Sequence, residues 1–120
     1  MKRSIAGVIV GIAISALALF AQHMASEKVV PPQPIVENER VKIQRWLLKP
    51  GEGTPLHTHT LPHVSVILRG STTRDVGTDG TSKDTDQKSG QASYIPGTGR
   101  THSFANVGKE TYESISIELK

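Results

Sequence analysis

The chain has 120 residues, room for one small domain, with 14 basic residues against 11 acidic ones and no cysteine. The missing thiols exclude a disulfide framework, thiolate metal ligands, a cysteine nucleophile and a lipidated cysteine anchor. Setting aside Lys2 and Arg3, twelve basic residues face eleven acidic ones. No basic stripe is available to neutralise phosphates, so nucleic acid is not an expected partner.

In chain order, the first element is a leader at residues 1–21. Lys2 and Arg3 precede an uncharged, apolar run from Ser4 to Ala21. As a helix that run would extend roughly 27 Å, enough to cross a bilayer. It reads as a signal peptide or an uncleaved membrane anchor with positive-inside orientation, and Ala16-Leu17-Ala18 offers a small-x-small cleavage pattern. Either reading exports the remainder to a periplasmic or other extracytoplasmic space. Residues 22–38 are polar and contain Pro31, Pro32 and Pro34, which suits an extended linker. The domain is expected over residues 39–120.

Its elements are short and extended. Val41–Leu48 alternates and stops at Lys49-Pro50-Gly51. His63–Arg69 is β-branched and apolar and ends at Gly70. Thr72–Thr78 and Thr81–Gln87 flank Asp79-Gly80, a type I′ hairpin signal. Gln91–Ile95 runs into the turn Pro96-Gly97-Thr98-Gly99, and Thr101–Val107 and Glu110–Leu119 complete the chain. No window past residue 39 has helical periodicity. Many short strands between glycine and proline turns predict an all-β sandwich or barrel.

Four histidines fall in this domain. His57 and His59 project from one face of an extended segment, about 7 Å apart, and can reach a single ion. His63 follows Pro62, and His102 opens a later strand. Imidazole nitrogen suits Zn, Ni, Cu, Mn and Fe. An exposed His-x-His pair with two unrelated histidines is the competing reading.

These residues carry a resemblance. Gly51, His57, His59, His63 and Gly70 match the spacing of the first cupin motif, G-x5-H-x-H-x3-E-x6-G, with His63 in the place of the usual glutamate. Gly90, Pro96, His102 and Asn106 follow the second motif, G-x5-P-x-G-x2-H-x3-N, with one extra residue between proline and histidine. The chain therefore resembles the cupin superfamily over roughly residues 40–119. The resemblance implies a double-stranded β-helix jelly-roll barrel holding one divalent transition metal on His57, His59, His63 and His102. It also favours Mn or Fe, with Ni, Cu and Zn as alternatives. Replacing glutamate by histidine raises the formal charge of such a centre from +1 to +2, which favours a small anionic ligand. All-imidazole shells in small family members imply a metal-dependent oxidoreductase or dioxygenase. A non-catalytic ligand- or metal-binding and sensing module is the alternative, supported by the small size, the leader and the lack of a general acid or base.

Other polar groups have two readings each. Arg45 shares parity with Val41, Ile43 and Leu47 and is either an anion clamp inside the barrel or a rim residue. Glu113 shares parity with Ile115, Ile117 and Leu119 and either faces the cavity or solvent. Tyr94 and Phe104 are expected to line the cavity, Asn106 to stabilise a turn, and Glu52 to be exposed in its loop. Val64, Val66 and Leu68 have parity opposite to His63. They form an outward apolar row that suits a homodimer, unless the segment before residue 40 covers it.

Overall fold

A computed structural model describes residues 28–120, so the leader and the start of the linker lie outside the described residues. The described chain is all β, with eleven strands and no helix. These are β1 (Lys28–Val29), β2 (Gln33–Glu37), β3 (Val41–Leu48), β4 (Glu52–Gly53), β5 (His57–His59), β6 (His63–Arg69), β7 (Thr72–Gly77), β8 (Ser82–Asp86), β9 (Ala92–Ile95), β10 (Arg100–Asn106) and β11 (Tyr112–Leu119).

They form two sheets. One runs β2-β3-β11-β6-β9; the other runs β1-β4-β10-β7-β8, with β5 also paired to β10. The inner faces enclose a cavity of about 520 Å³, within the usual size of a small-molecule site. At one end the sandwich is closed by Trp46, Leu48, Ile67 and Tyr112, with Val30 and Phe104 packed against them.

Two features differ from expectation, and a third was left open by the sequence. The segment taken as linker is extended, but from Lys28 it hydrogen-bonds to the domain. Lys28 and Val29 pair with Glu52 and Gly53, and β2 pairs with β3. Pro34 is tolerated because β2 is an edge strand, and the register slips between Pro34 and Val36. Second, the Asp79-Gly80 hairpin forms, but only Gly80 has positive φ, at 87°. A type I′ turn needs positive φ at both central residues. Here Gly80 N donates to Gly77 O at 3.1 Å, which makes a type I turn followed by a left-handed glycine.

The feature left open is the sense of the alternation in β3. Trp46 and Leu48 point inward and are buried, whereas Ile43 and Leu47 face outward with Arg45. Across the five-stranded sheet the outer face carries a continuous apolar row, Val36–Ile43–Ile117–Val64–Tyr94, as successive cross-strand neighbours. One level inward-facing, the corresponding row is Gln44–Ser116–Ser65–Ser93. The sheet is thus apolar outside and hydroxyl-lined inside over this stretch, which fits an interior that receives something polar.

Candidate metal centre

Strand β5 is three residues long, and its alternation sends His57 and His59 inward while Thr58 stays exposed. Antiparallel pairing with β10 sets His102 beside His57 and Arg100 beside His59. The extra residue in the Pro96–His102 stretch leaves that register intact. Gly99, at φ 77°, donates its N–H to His59 O at 2.8 Å, so the longer turn is tied to β5 before β10 begins. Gly97 packs against the backbone of residues 60–62, where a Cβ would collide.

The imidazoles of His57, His59 and His102 converge, with ring centroids 4.6–4.9 Å apart. One nitrogen of each lies within 4.8 Å of the others, a spacing that can hold a metal ion. His63 arrives from the opposite sheet. Its ring stacks on His59 at 4.2 Å, and the residue is only 8% exposed, but it is not part of the three-nitrogen group. All four histidines expected to act together are in one place, three as a set and the fourth against it.

Hydrogen bonds decide which nitrogens face the cavity. His57 Nδ1 donates to Pro55 O at 2.8 Å, leaving Nε2 free. His102 Nδ1 lies 2.8 Å from Asp75 Oδ2, so the proton there is donated to the carboxylate. Arg100 Nη2 donates to Asp75 Oδ1 at 2.7 Å. Buried and without a partner remain His59 Nδ1, His63 Nδ1 and His102 Nε2. An unsatisfied buried polar atom costs about 1–3 kcal/mol, so three in one cluster need an explanation. A borderline divalent cation on the His57, His59 and His102 group would supply one, because neutral imidazole nitrogen is its preferred donor. The donor set therefore fits the metal that the motifs imply.

Electrostatics favour the neutral imidazole at His57, His59 and His63. Burial pushes His59 down from 6.5 to about 4, reinforced by the neighbouring His63, His57 and His102. Burial likewise lowers His57, partly offset by its bond to Pro55, and lowers His63, partly offset by Glu118. Burial alone would raise Asp75, but the hydrogen bonds and charges of His102 and Arg100 outweigh it and hold the carboxyl at about 2.

The walls are mixed. Trp46 stacks on His57 at 5.6 Å, and Phe104 meets the Trp46 ring edge-on at 5.7 Å, so the core supports the cluster from below. Phe104 lines the cavity as expected; Tyr94 does not, being paired with Val64 on the outer face and 63% exposed. Arg45 and Glu113 are also outside, joined to each other at 3.3 Å, with Arg69 on Glu113 at 3.0 Å. Of the two readings of each, the rim position of Arg45 and the outward position of Glu113 hold, and the anion clamp and cavity-facing acid do not. Asn106 is fully buried and closes a turn, accepting from Ser71 and Gly108 and donating to Leu48 O and Glu110 O. Glu52 caps its own loop by accepting from Lys49 N at 2.8 Å. Asp75 and Arg100 went unnoticed in the sequence, since only the β7–β10 pairing brings Asp75 to His102.

Two β-sheets around a cavity, with convergent histidines from both sheets, define a small jelly-roll domain with a candidate metal site. Comparison with family models and with curated proteins finds no match. Solved structures do match. A cupin domain from Bordetella pertussis Tohama I is 27% identical with a TM-score of 0.68, over 74% of this chain and 91% of that one. An RmlC-like cupin family protein from Methanocaldococcus jannaschii is 19% identical with a TM-score of 0.61, over 73% and 77%. A polyketide cyclase from Streptomyces resistomycificus is 24% identical with a TM-score of 0.52, over 68% and 56%; it and the archaeal protein show likeness of fold alone. The chain is a small domain of the cupin superfamily.

Proposed function

We propose that the domain binds one divalent transition metal, Mn or Fe in preference to Ni, Cu or Zn, on His57, His59, His102 and, as fourth ligand, His63. On this reading it is an exported oxidoreductase of the dioxygenase kind acting on a small anionic substrate. The carrying observation is that His57, His59 and His102 bring one nitrogen each within 4.8 Å of the others, while His59 Nδ1, His63 Nδ1 and His102 Nε2 are buried without partners. A bound ion would supply positive charge and an open coordination position for an anionic oxygen. The chain's own residues do the rest. The four imidazoles hold the charge at +2, Trp46 and Phe104 exclude water from one side, and Ser65, Ser93 and Ser116 offer hydroxyls to the polar end of the ligand. The test is oxygen consumption by protein loaded with Fe(II) or Mn(II), across a panel of carboxylates and diketones. Turnover of one class, lost in His102→Ala, supports the enzyme; no turnover with metal bound and a carboxylate retained supports the second reading.

That second reading, a non-catalytic binding or sensing module, has its own observation. Asp75 is the one acid among the described cavity-lining residues, and it is tied up by His102 and Arg100. Among those lining residues no free carboxylate is left to move a proton; Glu118, the cross-strand neighbour of His63, stands outside the lining. Both readings share the leader at residues 1–21 as signal or membrane anchor, tested by fractionation of cells expressing the full chain. Both also share a homodimer formed through the outer apolar row of the five-stranded sheet.

A further inference from the structure

The Asp75 carboxylate does more than neutralise a neighbour. It sits at the centre of a hydrogen-bonded chain that begins in the β7–β8 turn. Asp79 Oδ1 accepts from Thr81 Oγ1 at 2.6 Å, Arg100 Nη2 donates to Thr81 Oγ1 at 3.1 Å and to Asp75 Oδ1 at 2.7 Å, and Asp75 Oδ2 receives His102 Nδ1–H at 2.8 Å. Residue 77 makes room for it. Gly77 is the cross-strand neighbour of His102, and a Cβ there would strike Asp79 Oδ1, Arg100 Nη2 and Thr81 Oγ1 at once. Its φ is not positive, so glycine is needed for space and not for backbone shape.

From this geometry we infer that Asp75 is a positioning residue for His102. It fixes the Nδ1–H tautomer, so that the unpartnered Nε2 is aimed at His57 and His59, while Arg100 holds the carboxylate and Gly77 leaves space for the guanidinium. The physical basis is general. An imidazole has one proton to place between two nitrogens, and a carboxylate at hydrogen-bond distance from one of them decides which is free. Arg100 Nη1 also lies 3.3 Å from His102 Nδ1, but a guanidinium can only donate, and that nitrogen is already the donor to Asp75. The fork of Arg100 therefore serves the carboxylate, on which it and the histidine converge from two sides. This inference rests on the metal-centre reading for its purpose, but its tautomer readout in the metal-free chain does not.

The test uses the ¹⁵N-labelled full chain, first metal-free and then titrated with Co(II). In the metal-free chain at neutral pH, nitrogen shifts of His102 should show Nδ1 protonated. In Asp75→Ala, and in Asp75→Asn, which keeps the shape but can also donate, the Nε2–H form should become the larger population. Gly77→Ala should move the tautomer in the same direction by displacing Arg100. Co(II) affinity should fall about 10- to 100-fold in the Asp75 variants, and the visible absorption of the bound ion should change with it. Circular dichroism identifies any variant that fails to fold, in which case Asp75→Asn carries the comparison. Nδ1–H retained in both Asp75 variants, or unchanged Co(II) affinity and spectrum, would overturn the positioning role. A wild-type chain with the expected tautomer that binds no Co(II) would count against the metal reading and leave the control of His102 by Asp75 supported.

Discussion

Buried neutral imidazoles make the metal-free domain acid-sensitive over a pH range set by His59. Its imidazole is lowered from 6.5 to about 4 in the folded chain, whereas the unfolded chain keeps the ordinary value. Between those two values the unfolded state binds more protons, so stability is complete above about pH 6.5 and is lost as pH falls to about 4. At about 1.4 kcal/mol per unit the gap is worth about 3 kcal/mol; allowing for partial solvent access, about 2 kcal/mol is expected. His57 and His63, lowered in the same direction, add to the loss. Asp75, held at about 2, contributes stability that is lost only below its ordinary 3.8, outside this range. For a domain of this size such a change lowers the urea midpoint by about 1–2 M. The assay is urea unfolding in chelator at pH 7.5, 6.5, 5.5 and 4.5, followed by fluorescence of Trp46, the sole tryptophan. His59→Gln should flatten the profile. A midpoint constant from pH 7.5 to 4.5, or an equal loss in His59→Gln, would refute the reasoning. The lowered values also mean that protons displace a bound metal at lower pH than unperturbed histidines would allow.

Three further outcomes are expected. Loading His63→Glu with metal should preserve binding but weaken affinity for azide, because the added negative charge cancels part of the ion's field, whereas His63→Ala should bind metal less tightly and azide at least as well as wild type; calorimetry measures both, and unchanged values in both variants would make His63 a bystander. Val66→Lys on the outer face should convert a dimer of the leader-free chain to monomer in sedimentation equilibrium, with the fold retained by circular dichroism; a wild-type monomer at high micromolar concentration would remove the dimer. Trp46→Ala should cost about 3–5 kcal/mol in urea unfolding, since the ring is 8% exposed and packs on both His57 and Phe104; a loss under about 1 kcal/mol would show that this end of the sandwich is not the core.

What was legible in the sequence is what depends on neighbours along the chain. The His57–His59 alternation, the strand limits around Val41–Leu48 and His63–Arg69, and the outward parity of Val64 and Val66 all follow from a two-residue period. Periodicity gives two faces but not which one is inside. For β3 the period left both faces open, because the inside is a polar-lined cavity and the aliphatic residues lie on the outer sheet surface; Arg45 and Glu113 kept two readings each for that reason, and Tyr94 was placed on the wrong face. Asp75 is 27 residues from His102 and meets it only through the β7–β10 register, so no local signal marks it. Prolines hid β2, since an edge strand forgives a missing N–H that a central strand would not.

The measurement that bears most directly on the central claim is metal content by elemental analysis. Purified full chain, exposed to Mn(II) or Fe(II) and desalted, should carry one ion per chain, and His57→Ala and His102→Ala, each checked for folding, should carry little. Full occupancy in both single variants, or a folded wild-type chain that retains no transition metal at neutral pH, would contradict the account.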